Sequence, residues 1–359
     1  MREKRGPIRV MVVEDSATTL ELLVQIISSD PRFTIAAAID TAEKALECLA
    51  EVKPDVISMD IRLPGMDGLE ATRRIMSEQP TPIVVIAAAV EDATLRISMN
   101  ALRAGALSVV EKPVGPAHRQ FASIAETIRT QLYIMSQVPV IRRREGYVRR
   151  PQGEPIRLAD GDCLRPKGTP SIIGIAASTG GPPALAKMLG ALPADFPKPL
   201  LLVQHMGSAF MEGFAAWLDG VVPMKVRIAV DGAVAEPGTV WVAPGDRHLV
   251  VDEVGKMALV GSPPYRGQRP SANLLFRSIA QFGEAGMGIL LTGMGDDGAE
   301  GLGLIRKAGG FTVAEHESSA VVYGMPAAAV RQGAVCVSLP LPMIASRLVH
   351  YCEYAHEKH

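Results

Sequence analysis

The stretch "SIIGIAASTGGPPAL", residues 171–185, is an apolar run that stops at Ser178 and opens into Thr-Gly-Gly-Pro-Pro. A short run apolar on both faces and bounded by glycines predicts a buried strand. Gly180 and Gly181 let the chain turn sharply. Pro182 suits the first turn of a helix, where its missing N–H is not needed. The segment therefore predicts strand, turn and helix, with the Ser178 hydroxyl at the strand tip. Two chemistries fit such a hydroxyl. One is a nucleophile raised on the turn. The other is a cap beside a phosphate-binding loop, because a helix N-terminus offers free N–H groups and partial positive charge. The glycines do not follow G-x-G-x-x-G, and no acid clearly ends the next strand in the ribose-binding role.

Downstream the strand–helix rhythm continues through "PLLLVQH" (199–205), "KVRIAV" (225–230), "TVWVAP" (239–244), "HLVVDEV" (248–254), "MGILLTG" (287–293), "FTVAEH" (311–316) and "AVCVSL" (334–339). Leu185, Met188, Leu189 and Leu192 recur at i, i+3, i+4, i+7, a helical face. The closely spaced strands from 225 to 260 predict an antiparallel insertion. His205 ends the strand after Ser178, and "GILLTGMGDDG" runs out into Asp296 and Asp297. In an open parallel sheet such strand ends meet in one crevice. Ser, His and Asp are the inventory of a nucleophile, its base and the group that orients the base. Their chain order is not the Ser, Asp, His of α/β-hydrolases, and G-x-S-x-G is absent. Spacing alone leaves the triad open.

Upstream, strands are expected at "IRVMVV" (8–13), "FTIAAAI" (33–39), "DVISMD" (55–60), "PIVVIAA" (82–88) and "LSVVEK" (107–112), with helical spacing at Leu20, Leu23, Val24, Ile27 and at Ala42, Ala45, Leu46, Leu49. Five such units predict a second parallel sheet covered on both faces. Glu14, Asp15 and Asp60 follow or end two of its strands and Lys112 a third. Three carboxylates in one crevice suit a hard cation such as Mg²⁺. An Asp there can attack a phosphodonor, with an ammonium and the metal neutralising phosphoryl oxygens. The bland alternative is capping: Asp15 or Ser16 could cap the helix that follows.

Between the two sheets, residues 138–170 are rich in Arg, Pro, Gly and Asp without periodicity and read as a linker. The chain has 359 residues, enough for two domains, and a net charge of −1, which argues against nucleic acid as a partner. Its longest apolar runs, such as 82–90, are too short to span a bilayer, and no signal peptide is evident. Cys48, Cys163, Cys336 and Cys352 are scattered, without C-x-x-C, and are expected to be reduced thiols of a cytoplasmic protein.

"VVEDS", "SMDIRLPGMDG" and "VVEKP" resemble the receiver domain of two-component response regulators. "IAASTGGPPAL", "VQHMGSAFMEGFAAWL", "VAPGDRHL", "RPSANLLFRSIA", "LLTGMGDDGAEGL" and "VVYGMPAAA" resemble the catalytic domain of chemotaxis protein-glutamate methylesterases. The resemblance implies two doubly wound parallel-sheet α/β domains: a flavodoxin-like receiver (1–128) and, after a linker (129–169), a Rossmann-like catalytic domain (170–359). It implies Asp60 as phosphoacceptor, Glu14, Asp15 and Asp60 around Mg²⁺, and Lys112 on the phosphoryl group. It further implies Ser178 as nucleophile, His205 as base and Asp297 as orienting acid. Thr179 and the Met294 N–H would face the oxyanion, and the hydrolysis itself needs no cofactor. The implied substrate is a glutamate methyl ester on chemoreceptor cytoplasmic helices; some relatives also deamidate receptor glutamines. The implied phosphodonor is a sensor histidine kinase, and the unphosphorylated receiver is expected to block the catalytic cleft.

Several positions depart from the family pattern. Ala87 stands where a hydroxyl is usual, Val109 where an aromatic is usual and Asn273 where an acid is expected. "EHESSAV" (315–321) also strays. These departures feed a rival reading, a non-enzymatic regulator that uses its catalytic-like domain for binding. His248 is expected to have a structural or substrate-positioning role, Asp296 to be a turn residue and His316 to lie outside the triad. His350, His356 and His359 are expected to be solvated.

Overall fold

The computed structural model describes residues 6–88, 106, 108–113, 115–118, 120–138, 156–157 and 166–353. Cys163, His356, His359 and most of the expected linker lie outside these residues. The chain divides into two compact units, Met1–Val148 and Arg149–His359.

In the first unit β1 (Ile8–Val13), β2 (Phe33–Ile39), β3 (Val56–Asp60), β4 (Ile83–Ala87) and β5 (Ser108–Glu111) form a sheet in the order β2-β1-β3-β4-β5. All its pairings are parallel. Every residue of β3 and β4 is buried, as expected of strands covered on both faces. Helices α1 (Ala17–Ser28), α2 (Ala42–Val52) and α3 (Gly68–Glu78) begin at Ser16, Thr41 and Asp67, whose side chains accept N–H groups of the first turn. Helix α4 (Phe121–Ser136) runs past residue 128, because Leu132, Ile134 and Met135 continue its buried face. The topological switch falls between β1 and β3, which brings Glu14 and Asp60 to one crevice.

The second unit holds β6 (Ile156–Arg157), β7 (Ile172–Ala177), β8 (Leu200–Gln204), β9 (Lys225–Ile228), β10 (Thr239–Val242), β11 (His248–Val251), β12 (Met257–Val260), β13 (Gly286–Leu290), β14 (Phe311–Glu315) and β15 (Val337–Leu339). Eight of them form one sheet in the order β6-β15-β14-β13-β7-β8-β10-β9. Helices α5 (Gly181–Leu189), α6 (Met211–Asp219), α7 (Ala272–Ile279), α8 (Ala299–Lys307), α9 (Met325–Arg331) and α10 (Leu341–Glu353) complete it. Strand β7 is wholly buried and lies between β13 and β8, the reversal point where their C-terminal ends open a crevice. Phe276 of α7 lies fully buried against Gly174 of β7, so Phe276→Ala should cost about 3–5 kcal/mol.

Three expectations change. The antiparallel insertion is only the β11–β12 hairpin; β9 and β10 pair in parallel and extend the main sheet. Their connection, residues 229–238, carries no helix but crosses by way of a bridge from Val234 to Lys256, so its shortness mimics a hairpin. The expected linker contributes β6, which adds antiparallel to the β15 edge and ends with Arg157 opposite Val337. Cys336, next to Val337, is disulfide-bonded, while Cys48 and Cys352 are in no disulfide. The expectation of reduced thiols therefore does not hold at Cys336.

Candidate catalytic and phosphoacceptor sites

Ser178 directly follows β7. Its N–H donates to Thr292 O at 3.0 Å, and its carbonyl accepts the Gly181 N–H at 2.8 Å. Gly180 takes φ +77°, a left-handed turn that a side chain disfavours, and α5 starts at the next residue. His205 directly follows β8, and its N–H donates to Ala177 O at 3.0 Å, so the β7–β8 ladder continues into the site. Asp297 stands in the loop after β13. Three neighbouring strands thus deliver the serine, the histidine and the acid.

Asp297 is buried and His205 partly buried, with Asp297 Oδ2 2.9 Å from His205 Nε2. The same carboxylate accepts the Ala272 N–H at 2.7 Å, the Asn273 N–H at 3.1 Å and the Ser271 hydroxyl at 2.8 Å. Ser271 is the first flanking residue of α7 yet makes no side-chain cap of its own. Asp297, brought in from another loop, satisfies N–H groups that the helix start leaves free. Burial alone pushes its carboxyl up. The bonds from His205, Ala272 and Ser271 outweigh that and hold it below the ordinary carboxylate range. With Nε2 committed to Asp297, neutral His205 keeps a lone pair on Nδ1 to take a proton. Among the described residues no hydrogen bond joins the Ser178 hydroxyl to His205. Such bonds often tighten only when substrate is bound.

His248 is fully buried outside this pair. Its Nδ1 accepts the Ser271 N–H at 3.1 Å, and its Nε2 donates to Pro263 O at 3.2 Å. This fixes a neutral tautomer and steadies the residue that supports Asp297. Asp296 is exposed, near Arg266. His316 pairs with Ser318. Thr179 is buried, and the Met294 side chain is exposed. Asn273, fully buried, accepts the Gly301 N–H at 2.8 Å through Oδ1.

Sequence reasoning missed the supports. Thr292 accepts the Ser178 N–H on its carbonyl, donates its hydroxyl to Thr179 O at 2.9 Å and donates its N–H to Glu315 at 2.9 Å. Glu315 is wholly buried, and burial pushes its carboxyl up despite bonds from Thr292 and Ser319. An acid closing the apolar strand "FTVAE" was the available signal. Ser271 was marked only by its place before "ANLLF".

In the first unit Lys112 Nζ lies 2.7 Å from Asp60 Oδ2 and 2.9 Å from both oxygens of Glu14, with hydrogen-bond geometry only at Oε1. Burial pushes both carboxyls up; the Asp60 charge adds to this at Glu14, and Lys112 opposes it at both. Ser16, not Asp15, caps α1, which leaves the exposed Asp15 carboxylate in the cluster. One oxygen each from Glu14, Asp15 and Asp60 lies within 4.8 Å of the others. That all-oxygen set, with Glu14 Oε2 buried and lacking a hydrogen bond, fits Mg²⁺. Ala87 ends β4, buried, and its methyl offers no hydroxyl.

A serine, a histidine and an acid at one sheet's switch point, and an acid cluster with lysine at another's, define a class: a hydrolase governed by phosphorylation. Comparison with known proteins identifies the family. Residues 10–120 match the response regulator receiver domain and residues 173–348 the CheB methylesterase family. The protein-glutamate methylesterase/protein-glutamine glutaminase 2 of Paramagnetospirillum magneticum is 52% identical over 96% of this chain and 97% of its own length. A similarly named protein of Myxococcus xanthus is 43% identical over 96% of this chain and 97% of its own. The solved catalytic domain of Thermotoga maritima CheB methylesterase is 34% identical, with a TM-score of 0.49, and covers 50% of this chain and 98% of that one. The chain belongs to the CheB methylesterases that carry an N-terminal receiver domain. Among the described residues no helix is long and apolar enough to cross a membrane.

Proposed function

We propose that this protein removes methyl groups from glutamate side chains of chemoreceptor cytoplasmic helices, in the cytoplasm, under control of its receiver. Ser178 attacks the ester carbonyl while His205 Nδ1 takes its proton, and Asp297 stabilises the imidazolium. Thr179 and the Met294 N–H face the oxyanion; loss of one such donor costs about 2.7–4 kcal/mol of barrier. Collapse breaks the ester C–O bond, and methanol leaves with the proton from His205. Water then attacks the acyl-enzyme, His205 again takes a proton, and the glutamate carboxylate departs as Ser178 is reprotonated. A receptor glutamine follows the same route with ammonia as leaving group. The observation that carries this reading is the Asp297–His205 pair at 2.9 Å, its carboxylate buried on the α7 N-terminus beside the strand that leads into Ser178.

In the receiver, Asp60 accepts a phosphoryl group from a sensor histidine kinase, and Lys112 moves from the carboxylates to the phosphoryl oxygens. Glu14, Asp15 and Asp60 would hold Mg²⁺, which supplies charge neutralisation for that transfer. Ala87 offers no hydroxyl to draw toward the phosphoryl group and Val109 no ring to follow, so the response is weakened or rewired. The linker begins after α4, and protease sensitivity of the chain with and without a phosphoryl mimic measures that response. Methanol release from methylated chemoreceptor membranes, compared between the native chain and Ser178→Ala, tests the hydrolase. Release confined to the native chain supports it. Equal release from both refutes it.

A further inference from the structure

The nucleophile and its base follow different strands, and beyond Ala177 the ladder between those strands stops. Ser178 turns away into the glycine loop, so backbone pairing no longer sets its distance from His205. Gln204, the last residue of β8 and 1% exposed, stands at that gap. Its side-chain nitrogen donates to Ser178 O at 2.9 Å and to His205 O at 2.9 Å. Both partners are acceptors only, so the amide must turn its NH₂ group toward them. An amide nitrogen has two donors, and both are used.

The opposite atom, Oε1, is buried without a hydrogen-bond partner among the described residues. Leaving an amide oxygen unpaired is unfavourable. That orientation persists because the fork engages two carbonyls at once. Gly181 leaves the room: a Cβ at that position would overlap Gln204 Oε1 and crowd Ala177. The second glycine of "STGG" therefore has a reason that the turn alone does not supply, since Gly180 takes the left-handed backbone and Gly181 does not.

We propose that Gln204 is a positioning residue that ties the nucleophile to its base, holding the Ser178 and His205 carbonyls on one amide so that the two side chains keep a reactive separation. This rests on the reading of Ser178 and His205 as nucleophile and base. It adds a residue whose substitution changes the chemical step and leaves receptor binding alone.

The test uses the full chain and two readouts: kcat and KM for methanol release from methylated chemoreceptor membranes, and the rate at which a fluorophosphonate modifies Ser178. Gln204→Met keeps the volume and removes both donors. Expected are a kcat lower by about 100-fold, the scale of a misplaced reactive group, and an equal slowing of modification, with KM unchanged. Gln204→Glu covers the case in which the Met variant does not fold. Its acid form offers one O–H donor and its ionised form none. Its kcat relative to native should therefore fall as pH rises, which a merely structural role would not produce. A folded Gln204→Met chain with native kcat, or a pH-independent ratio for Gln204→Glu, overturns the proposal. Ser178→Ala separates the two layers. If that variant still releases methanol, the nucleophile assignment fails whatever Gln204 does. If it is inactive while Gln204→Met is native, the positioning role alone fails.

Discussion

Both units place a buried aspartate at the switch point of a parallel sheet, yet the two carboxyls are driven in opposite directions. Asp60 is held by an ammonium beside a second buried acid, and burial leaves its carboxyl above the ordinary range. Asp297 is as deeply buried but receives two backbone N–H groups at a helix start, a hydroxyl and an imidazole, and ends below that range. Placement in the fold therefore does not set the chemistry. The donors do. On the roles proposed above, a carboxylate that reacts with a phosphodonor and meets a metal is paired with a side-chain ammonium. One that must stay charged beside an imidazole is fixed by backbone that cannot move away.

The contrast can be broken most severely at Asp297. Asp297→Asn keeps the shape but removes the charge and misdirects the imidazole, so kcat for methanol release should fall about 10⁴-fold, the scale known for such a change in a serine protease triad. Asp60→Asn should leave that basal rate intact and abolish stimulation by a phosphodonor.

At the other crevice, Lys112→Met leaves Glu14 and Asp60 buried without a cation. Breaking a buried pair costs about 3–5 kcal/mol. Amide hydrogen exchange at β1 and β3 should accelerate accordingly, and Mg²⁺ should restore part of the protection.

Ser271→Ala removes one of the fixed donors on Asp297, a bond to a charged group that contributes about 1.5–3 kcal/mol. A depressed carboxyl adds stability at pH values above its unfolded pKa and loses it as pH falls through the folded one. With one donor gone, the depression shrinks and so does that contribution. Trp217 and Trp241, both in the second unit, report the change as a lower unfolding midpoint at neutral pH, converging with native in acid.

Glu315→Gln should have the smallest effect on turnover, within about twofold, because an amide oxygen can still accept the Thr292 N–H. Its signature is in stability. Burial raises the Glu315 carboxyl, so the native protein loses stability as pH rises from the unfolded pKa through the folded one. The variant should lack that loss and exceed native stability at alkaline pH.

Much of this arrangement was legible in the chain. Strand-end residues announce themselves because each closes an apolar run, which is how Glu14, Asp60, Lys112, Ser178 and His205 could be singled out; Asp297, in the loop after β13, was told from Asp296 only by the family resemblance. Residues that act through backbone atoms do not. The "SAN" of 271–273 matters through two N–H groups and a hydroxyl aimed at a loop far along the chain. Gln204 simply precedes His205 in the chain, and nothing local shows that its amide forks to Ser178. The β9–β10 connection misled for a related reason: a short helix-free link suggests a hairpin, and only the bridge to Lys256 shows the crossover. Two residues of β6 carry too little pattern to be read at all.

The central claim is that Ser178 is a nucleophile activated through His205 and Asp297. A fluorophosphonate probe, followed by peptide mapping, measures it directly in the native chain, His205→Ala and Asp297→Asn. The account requires modification at Ser178 in the native chain and slowing by orders of magnitude in both variants. Modification at another residue, or an equal rate at Ser178 in all three proteins, would contradict it.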